Sequence, residues 1–207
     1  MTDAAFEVRE LTLDEIRSVY HRYLIYDFPD DERKPLFMIE RAHARGRYRC
    51  FGAVKGGEIL AYAFFAGLIH EGKRLLLLDY LAVREDIRDR GVGGAFLSSL
   101  RSGPLIGADM VLVEADDPDF ARDGEDKATR LRRLRFYFRC GLLDTGVRSL
   151  LYGVRYAILE MPLSAAHTQA EAFAAYETLY HSILPPWIYK KQVAVSIKET
   201  DRHAGEI

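Results

Sequence analysis

Residues 88–94, RDRGVGG, bring together two arginines and three glycines, a composition suited to holding an anion. They follow an apolar run and precede a segment in which apolar residues recur at helical spacing. The first amides of a helix have no acceptor within the helix and point outward, where the helix dipole adds partial positive charge. Glycines remove the side chains that would keep a large anion away from this backbone. The segment therefore predicts a turn that binds phosphate groups at the start of a helix.

Two familiar nucleotide-binding loops do not match this segment. A Walker-type loop requires a lysine followed by serine or threonine, and the lysine is absent. The dinucleotide fingerprint GxGxxG begins with Gly91 and Gly93, but Phe96 occupies its third position. What remains is a buried strand, a short polar turn, and then Arg88, two residues, Gly91, one residue and Gly93 leading into a helix.

The elements that must position this turn can be predicted from hydrophobic periodicity. The pattern predicts strands at 6–11, 47–54, 59–69, 74–83, 109–115, 146–152 and 155–162, and helices at about 12–26, 35–45, 92–102 and 128–140. The strand at 74–83 is a continuous apolar run, as expected of burial on both faces. The helix at 128–140 is expected to bury Leu131, Leu134 and Phe138. The order predicts a mixed α/β sheet with helices on its faces.

The C-terminal segment predicts an extension to this domain. Residues 164–183 have the pattern of an amphipathic helix, LPPW (184–187) interrupts it, and KQVAVSI (191–197) alternates like a strand. We therefore expect one domain at 1–163 and an extension at 164–207 that packs on the same domain or on a partner. The tail strand needs a sheet edge, either in its own chain or in a second copy, which would give a homodimer.

The segment LLDYLAVREDIRDRGVGGAFL (77–97) resembles the acetyl-CoA-binding segment of the GCN5-related N-acetyltransferases (GNAT). The family motif is Arg or Gln, two residues, Gly, one residue, then Gly or Ala, and Arg88, Gly91 and Gly93 match it. FYFRCGL (136–142) resembles the family's FYxxxGF, with Tyr137 at the tyrosine position. Arg130 and Arg133 replace the Asn and Ala that the family often has seven and four residues before the tyrosine, and the final Phe is Leu. The resemblance covers about residues 5–162.

The resemblance implies a fold, a co-substrate and an activity. The fold is the GNAT acyl-CoA N-acyltransferase fold, a central, twisted, mostly antiparallel sheet flanked by helices, here with a C-terminal helix-strand extension. The co-substrate is acetyl-CoA. The activity is N-acetyl transfer to a primary amine of a small molecule or peptide by direct attack. A catalytically silent acyl-CoA sensor or regulatory module is the alternative from another class, and a longer acyl-CoA donor is a third hypothesis.

The resemblance also implies roles for individual residues. Main-chain groups of three strand residues contact the acetyl and pantetheine groups: Leu81, Ala82 and Val83. The pyrophosphate lies against the turn formed by Arg88, Asp89, Arg90, Gly91, Val92, Gly93 and Gly94. Tyr137 protonates the coenzyme A thiolate, since a phenol is a proton donor near neutral pH. The alternative for Tyr137 is an ordinary core aromatic beside Phe136 and Phe138.

Two acidic residues are candidates for the general base. Asp79 is the only charged residue inside LLLLDYLAV, and a buried carboxylate needs a partner or a function. Alternation places it on the same side of its strand as Leu81 and Val83. Glu114, at the end of the next strand, is the second candidate. The alternatives are a substrate-binding role for Asp79, a structural carboxylate, and a water chain without a dedicated base.

Two further regions bear on the ligands. The basic helix is expected to form either a solvated, ion-paired face or a contact to the 3′-phosphate of coenzyme A through Lys127, Arg130, Arg132, Arg133 and Arg135. The acceptor pocket is expected from the first two helices, where acidic and aromatic residues crowd: Tyr20, Tyr23, Tyr26, Asp27, Phe28 and Asp30. An acidic, aromatic pocket would favour a cationic amine. Ordinary helix packing is the alternative for the tyrosines.

Composition excludes several classes of protein. The chain has 207 residues, 49% of them hydrophobic, and a net charge of −2, which argues against a dominant role in binding nucleic acid or anionic membranes. Cys50 and Cys140 have apolar or aromatic neighbours and predict two buried free thiols rather than a disulfide framework or a metal site. Neither a signal peptide nor an apolar run approaching 18 residues is visible. We therefore expect a cytoplasmic protein.

Overall fold

The computed structural model describes residues 6–198, apart from the Asp31 side chain. The chain divides between Val111 and Leu112 into two units. The first unit contains the strands β1 (Glu7–Glu10), β2 (Tyr48–Lys55), β3 (Glu58–His70) and β4 (Lys73–Val83), and the helices α1 (Leu13–Val19), α2 (Ile25–Asp27), α3 (Leu36–Ala44) and α4 (Val92–Ser102). Its strands are antiparallel in the order β1-β2-β3-β4. Apart from the first helix, these elements agree with the predicted ones to within a few residues.

A tight turn at two glycines joins β2 to β3. Gly56 and Gly57 have φ angles of 57° and 81°, a region that side chains disfavour and glycine tolerates. In the hairpin that follows, β3 pairs with β4 from His70 opposite Lys73 to Ala61 opposite Val83. The turn between β3 and β4 has positive φ angles at Glu71 (50°) and Gly72 (78°), and this local geometry fixes the register of the strand that leads to the glycine segment.

The hairpin between β3 and β4 contains a bulge at Asp79. Phe64 lies opposite Tyr80 and Phe65 lies opposite Leu78, so Asp79 has no residue across from it. Bulges locally bend a strand and re-aim side chains, often beside functional sites. Burial of β4 is continuous at 75–78 and then alternates, so the prediction of burial on both faces was wrong for the second half of the strand. The bulge is where the pattern changes.

The first helix begins with a capping box and is interrupted by a π-helical turn. Thr12 accepts from the Glu15 amide, and the Glu15 carboxylate accepts from the Thr12 amide. A π turn at Tyr20–Leu24 then separates α1 from α2. The predicted continuous helix at 12–26 was therefore wrong in its middle. One side of the segment is buried through Ile16, Val19 and Leu24.

The capping box predicts acid sensitivity of stability. Hydrogen bonding to Arg9, 2.6 Å away, lowers the Glu15 pKa from 4.5 to about 2. A carboxyl with a lowered folded-state pKa adds stability above its unfolded pKa, and that stability is lost as pH falls from about 4.5 toward 2. Glu15→Gln, which keeps an amide at the capping position, should lower the free energy of unfolding at pH 7 by about 1 kcal/mol after allowance for solvent screening.

Urea denaturation at pH 7, 4 and 2.5 measures this effect. The difference between wild type and Glu15→Gln should shrink as pH falls, whereas the exposed Glu85→Gln control should differ little from wild type at any pH. A difference that stayed constant across the three pH values would contradict the assignment.

The second unit contains β5 (Met110–Asp116, mostly beyond Val111), α5 (Gly124–Arg139), β6 (Leu143–Leu151), β7 (Val154–Glu160), α6 (Gln169–Ile183), α7 (Pro186–Gln192) and β8 (Val193–Ile197). Its antiparallel strands follow the order β5-β7-β6-β8. The predicted break at 184–187 is confirmed, because α6 ends at Ile183. Pro186 then opens α7, which was not predicted, in the first helical position, where proline is favoured. β8 pairs with β6 of its own chain. Residues 199–207 of the predicted extension lie outside the described residues.

The buried face of α5 differs from the predicted one. The helix begins at Gly124, capped by the Asp123 side chain, rather than at 128. Leu134 and Tyr137 are buried and Phe138 is 46% exposed, so the predicted burial of Phe138 was wrong. Arg130 takes an inward position instead, because Asp126 pairs with it and the Asp117 carbonyl accepts from it. At 100° per residue, an inward arginine at 130 rotates the buried stripe toward 134 and 137.

Cys50 and Cys140 are thiols and are not joined in a disulfide. Cys50 is buried, and burial raises its pKa, so it is an unreactive thiol at neutral pH. Cys140 is half-buried, so the prediction of two buried thiols was wrong for that residue. Within residues 6–198, no helix combines the length and apolar character required to cross a bilayer.

Candidate functional site

The glycine segment forms a turn at the start of α4, as predicted. Gly91 precedes the helix with a φ of 80°, and Asp89 also has a positive φ, of 62°. No side chain caps the helix. The amides of Val92, Gly93 and Gly94 are therefore at the position where a helix presents its donors and its partial positive charge. This is the geometry that binds a phosphate group.

Arg88 anchors the turn to the end of β4. Its Nε donates to the Val83 carbonyl at 2.9 Å, and its Nη2 pairs with Asp27 at 2.7 Å. Asp27 also accepts from the Tyr62 hydroxyl at 2.8 Å. Burial, and then the charge of Asp27, raise the Tyr62 pKa above its usual value. Arg88 therefore holds the turn in place, whereas Arg90 is exposed to solvent and can meet a ligand.

Asp79 binds an ammonium and a phenol of the same unit. Lys34 Nζ lies 2.5 Å from its Oδ1, and the Tyr48 hydroxyl donates to its Oδ2. The Asp79 side chain is 9% exposed. Burial, and then the charge of Asp79, raise the Tyr48 pKa well above its usual value, so this phenol stays a donor. Asp79 was predicted from sequence, but Lys34 and Tyr48 were not, because nothing local in the sequence pairs them with it.

The segment between α2 and α3 lies against β4 next to Asp79. The Tyr80 hydroxyl accepts from the Lys34 amide at 2.8 Å and donates to the Glu32 carbonyl at 3.1 Å. The Phe28 ring meets the Tyr80 ring edge-on at 4.9 Å between centroids. Burial raises the Tyr80 pKa to about 12. This segment belongs to the predicted acceptor region, and its contacts place it beside Asp79.

Of the other residues in the predicted acceptor region, some side chains contact the protein and others are exposed to solvent. The Tyr20 hydroxyl donates to the Lys34 carbonyl at 3.2 Å. Tyr23 is half-buried, and the Arg22 guanidinium lies 5.6 Å from its ring centroid. Tyr26 is exposed, and Asp30 pairs with Arg33 at the surface. Tyr26 therefore remains the aromatic side chain most open to a ligand in this region.

In the second unit, Tyr137 is a buried tyrosine whose hydroxyl has no hydrogen-bond partner among the described residues. The residue is 7% exposed, and its ring packs against Phe136 with 5.4 Å between centroids. Among residues 6–198, no protein group forms a hydrogen bond with the hydroxyl, which is not sealed from solvent. Burial raises the Tyr137 pKa to about 12, so the phenol stays protonated at neutral pH. Chemically it is a proton donor without a protein acceptor.

Glu114 is held by the C-terminal helix. The Tyr176 and Tyr180 hydroxyls donate to its Oε1 at 2.5 Å and 2.6 Å. The Tyr176 oxygen also lies 2.9 Å from Ser149 Oγ. Burial, and then the charge of Glu114, raise the Tyr176 pKa well above its usual value. Glu114 thus links β5 to α6, a connection that no local sequence pattern indicates.

The basic face of α5 is partly ion-paired. Arg130 and Arg133 pair with Asp126 and Asp116 at 3.0 Å and 2.5 Å. Exposed residues line a shallow depression on the same helix: Glu125, Ala128, Thr129, Arg132, Arg135 and Arg139. The predicted ion-paired face is therefore found at Arg130 and Arg133, while the remaining arginines face solvent.

Comparison with known proteins supports the fold. No protein-family model matches the chain, and no curated protein matches it in sequence. Many solved structures do match. The ribosomal-protein-S18-alanine N-acetyltransferase from Escherichia coli has a TM-score of 0.57 and 18% identity, over 78% of this chain and 96% of its own.

Two further structures carry the same conclusion. A protein described as a GNAT-family acetyltransferase from Bacteroides thetaiotaomicron has a TM-score of 0.63 and 15% identity, over 86% of this chain and 97% of its own. NAA60 from Arabidopsis thaliana, in complex with acetyl-CoA, has a TM-score of 0.55 and 14% identity, over 76% and 98%. The chain has the GNAT fold, and the predicted fold class is confirmed.

Proposed function

We propose that this protein is an acetyl-CoA-dependent N-acetyltransferase that acts on a primary amine of a small molecule or peptide. The observation that carries the proposal is the uncapped start of α4 directly after β4, with Gly91 in a left-handed conformation. The structural neighbours support it, since the Escherichia coli protein is named as an alanine N-acetyltransferase and the Arabidopsis protein contains acetyl-CoA.

The residues of the first unit fit the co-substrate. A pyrophosphate requires several converging donors, and the α4 amides with the exposed Arg90 supply them. Leu81 and Val83 are half-buried on β4, and Ala82 is buried. In the proposal, their main-chain groups bind the pantetheine and acetyl groups. Arg88 contributes to pyrophosphate binding indirectly, by holding the turn in place.

The proposed reaction transfers the acetyl group in one step. The acceptor nitrogen, after losing a proton, forms a bond to the thioester carbonyl carbon, and the bond from that carbon to sulfur breaks. Tyr137 donates its phenolic proton to the leaving sulfur, and the proton that the nitrogen loses as the amide forms restores the Tyr137 phenol. The Tyr137 hydroxyl supports this role because it forms no hydrogen bond within residues 6–198, and its raised pKa keeps it protonated at neutral pH.

The contacts of the two acidic candidates suggest different roles for them. We propose that Asp79 binds the acceptor ammonium, since it already holds an ammonium and lies at a bulge in the strand before the turn. Glu114 has one oxygen occupied by two phenols, which favours a positioning role through α6 over proton abstraction. Water relays the proton that the acceptor loses.

The proposed function predicts thiol release from acetyl-CoA that depends on an added amine. A panel of alkylamines, polyamines, aminoglycosides and peptides with free N-termini should contain an acceptor whose mass rises by one acetyl group. The alternative, an acyl-CoA sensor, predicts tight acetyl-CoA binding with no acetylated product from any member. That second outcome would remove the enzymatic assignment.

A further inference from the structure

The strongest unexplained feature of the first unit is a cation site that the chain fills with its own side chain. The Lys34 ammonium meets a carboxylate and an aromatic ring, and a phenol holds that carboxylate. The Asp79 carboxylate lies at 2.5 Å, the Tyr48 phenol donates to that same carboxylate, and the Tyr80 ring centroid is 5.7 Å from Nζ. A buried carboxylate together with the face of an aromatic ring selects a cation.

The backbone around Lys34 is held in place independently of its ammonium. The Lys34 amide donates to Tyr80, its carbonyl accepts from Tyr20, and the Glu32 carbonyl accepts from Tyr80. None of these bonds involves Nζ. The ammonium can therefore leave Asp79 by rotation of a flexible four-carbon chain while the segment remains attached to β4.

The Lys34 side chain is also reachable from solvent. It is 33% exposed, whereas Asp79 beneath it is 9% exposed. Lys34 thus covers the Asp79 carboxylate, and a molecule arriving from solvent contacts the Lys34 side chain first. The carboxylate belongs to the bulge two residues before Leu81, on the strand that the proposed function assigns to the acetyl arm.

We propose that the Asp79, Tyr48 and Tyr80 cluster is a binding site for a primary alkylammonium ligand and that Lys34 is an internal competitor for it. The inference rests on the proposed function, and it names the chemical class of the acceptor as a primary amine on an unbranched alkyl chain. An external amine binds by displacing Lys34, so the chain inhibits its own acceptor site until the acceptor is abundant.

A tethered competitor has a predictable effect on affinity. A side chain beside its site has an effective concentration of about millimolar or above, so an external amine must exceed that competition. Removing the ammonium in Lys34→Met, which keeps the length of the side chain, should lower the Kd for n-butylamine at least tenfold. Lys34→Arg keeps a cation in place and should leave the Kd within about threefold of wild type.

Thermal unfolding without acetyl-CoA tests the binding site separately from the proposed function. Lys34→Met leaves Asp79 buried without its cation, so its melting temperature should fall. n-Butylamine should raise that temperature again, because a ligand that binds the folded state stabilises it. n-Butanol and sodium chloride at equal concentration should not. Lys34→Gln, which keeps a hydrogen-bond donor, should respond in the same direction and serves if Lys34→Met does not fold.

The double variant Asp79→Asn, Lys34→Met identifies the carboxylate as the binding group. It has no charge to compensate and should fold, yet n-butylamine should not stabilise it. Two results would show an ordinary structural ion pair and overturn the inference. One is that n-butylamine stabilises the double variant as much as it stabilises Lys34→Met, and the other is that it stabilises neither Lys34→Met nor Lys34→Gln. Steady-state kinetics add a second reading, since Lys34→Met should lower the KM for an alkylamine without a matching rise in kcat. If no acetyl transfer occurred but the stabilisation did, the proposed function would fail and the ammonium site would stand.

Discussion

Replacing Tyr137 with phenylalanine is expected to lower kcat for amine acetylation by about 10²- to 10⁴-fold, the usual contribution of a positioned proton donor. The hydroxyl makes no bond to the protein in residues 6–198, so its loss breaks no structural contact. The phenyl ring is retained, so packing against Phe136 persists. The KM for acetyl-CoA should therefore change little, and the melting temperature should stay within a few degrees of wild type.

Single-turnover thiol release with a saturating acceptor measures this change. Tyr152→Phe, at an exposed tyrosine, is the matched control and should retain full activity. The wild-type rate should not decline on the alkaline side until pH approaches the Tyr137 pKa of about 12, as far as the fold survives. Full activity of Tyr137→Phe with every acceptor would show that the phenol is a core aromatic and that another group protonates the thiolate.

Replacing Gly94 with glutamate is expected to weaken acetyl-CoA binding by at least 100-fold, which corresponds to about 2.7 kcal/mol. Gly94 is the third residue of α4, where a carboxylate satisfies the helix amides and interacts favourably with the dipole. The same carboxylate would occupy the donors needed by the pyrophosphate and repel its charge. Exchange of glycine for glutamate should also stabilise the helix by about 0.5–1 kcal/mol. Binding and stability should thus move in opposite directions.

Calorimetric titration with coenzyme A and thermal unfolding of the same samples separate the two effects. Ser98→Glu adds the same charge one turn later on the exposed side of α4 and should bind coenzyme A nearly as wild type does. Unchanged coenzyme A affinity in Gly94→Glu would mean that the pyrophosphate is bound elsewhere. A loss of both binding and stability would point to local misfolding instead.

Features encoded by neighbouring residues were predictable from the sequence. The glycine turn lies where the sequence predicts it, at the start of α4, and the GlyGly turn and the Thr12 cap likewise follow from local backbone chemistry. The order of strands and helices follows from hydrophobic period for the same reason. The glycine turn could therefore be assigned before the rest of the site.

Features that depend on distant partners were not predictable. Lys34 and Asp79 are separated by 45 positions, and Tyr180 and Glu114 by 66, so no periodicity connects them. The buried face of α5 was predicted wrongly because Arg130 lies inward, where its charge is paired with Asp126 instead of being hydrated. The bulge at Asp79 could not be predicted without knowing which residues of β3 lie opposite its neighbours. The identities of the candidate residues were thus visible, but the groups that modify their chemistry were not.

The pairing of β6 with β8 affects how the second unit is completed during synthesis. Residues 147–151 pair with 193–197, so the outer edge of β6 lacks its neighbour until α6 and α7 have been made. At about 5–20 residues per second, the ribosome needs roughly two to nine seconds to add that stretch. For that time the nascent chain exposes an unpaired strand edge to other chains, a hazard that the hairpins of the first unit largely avoid by pairing with their immediate successors.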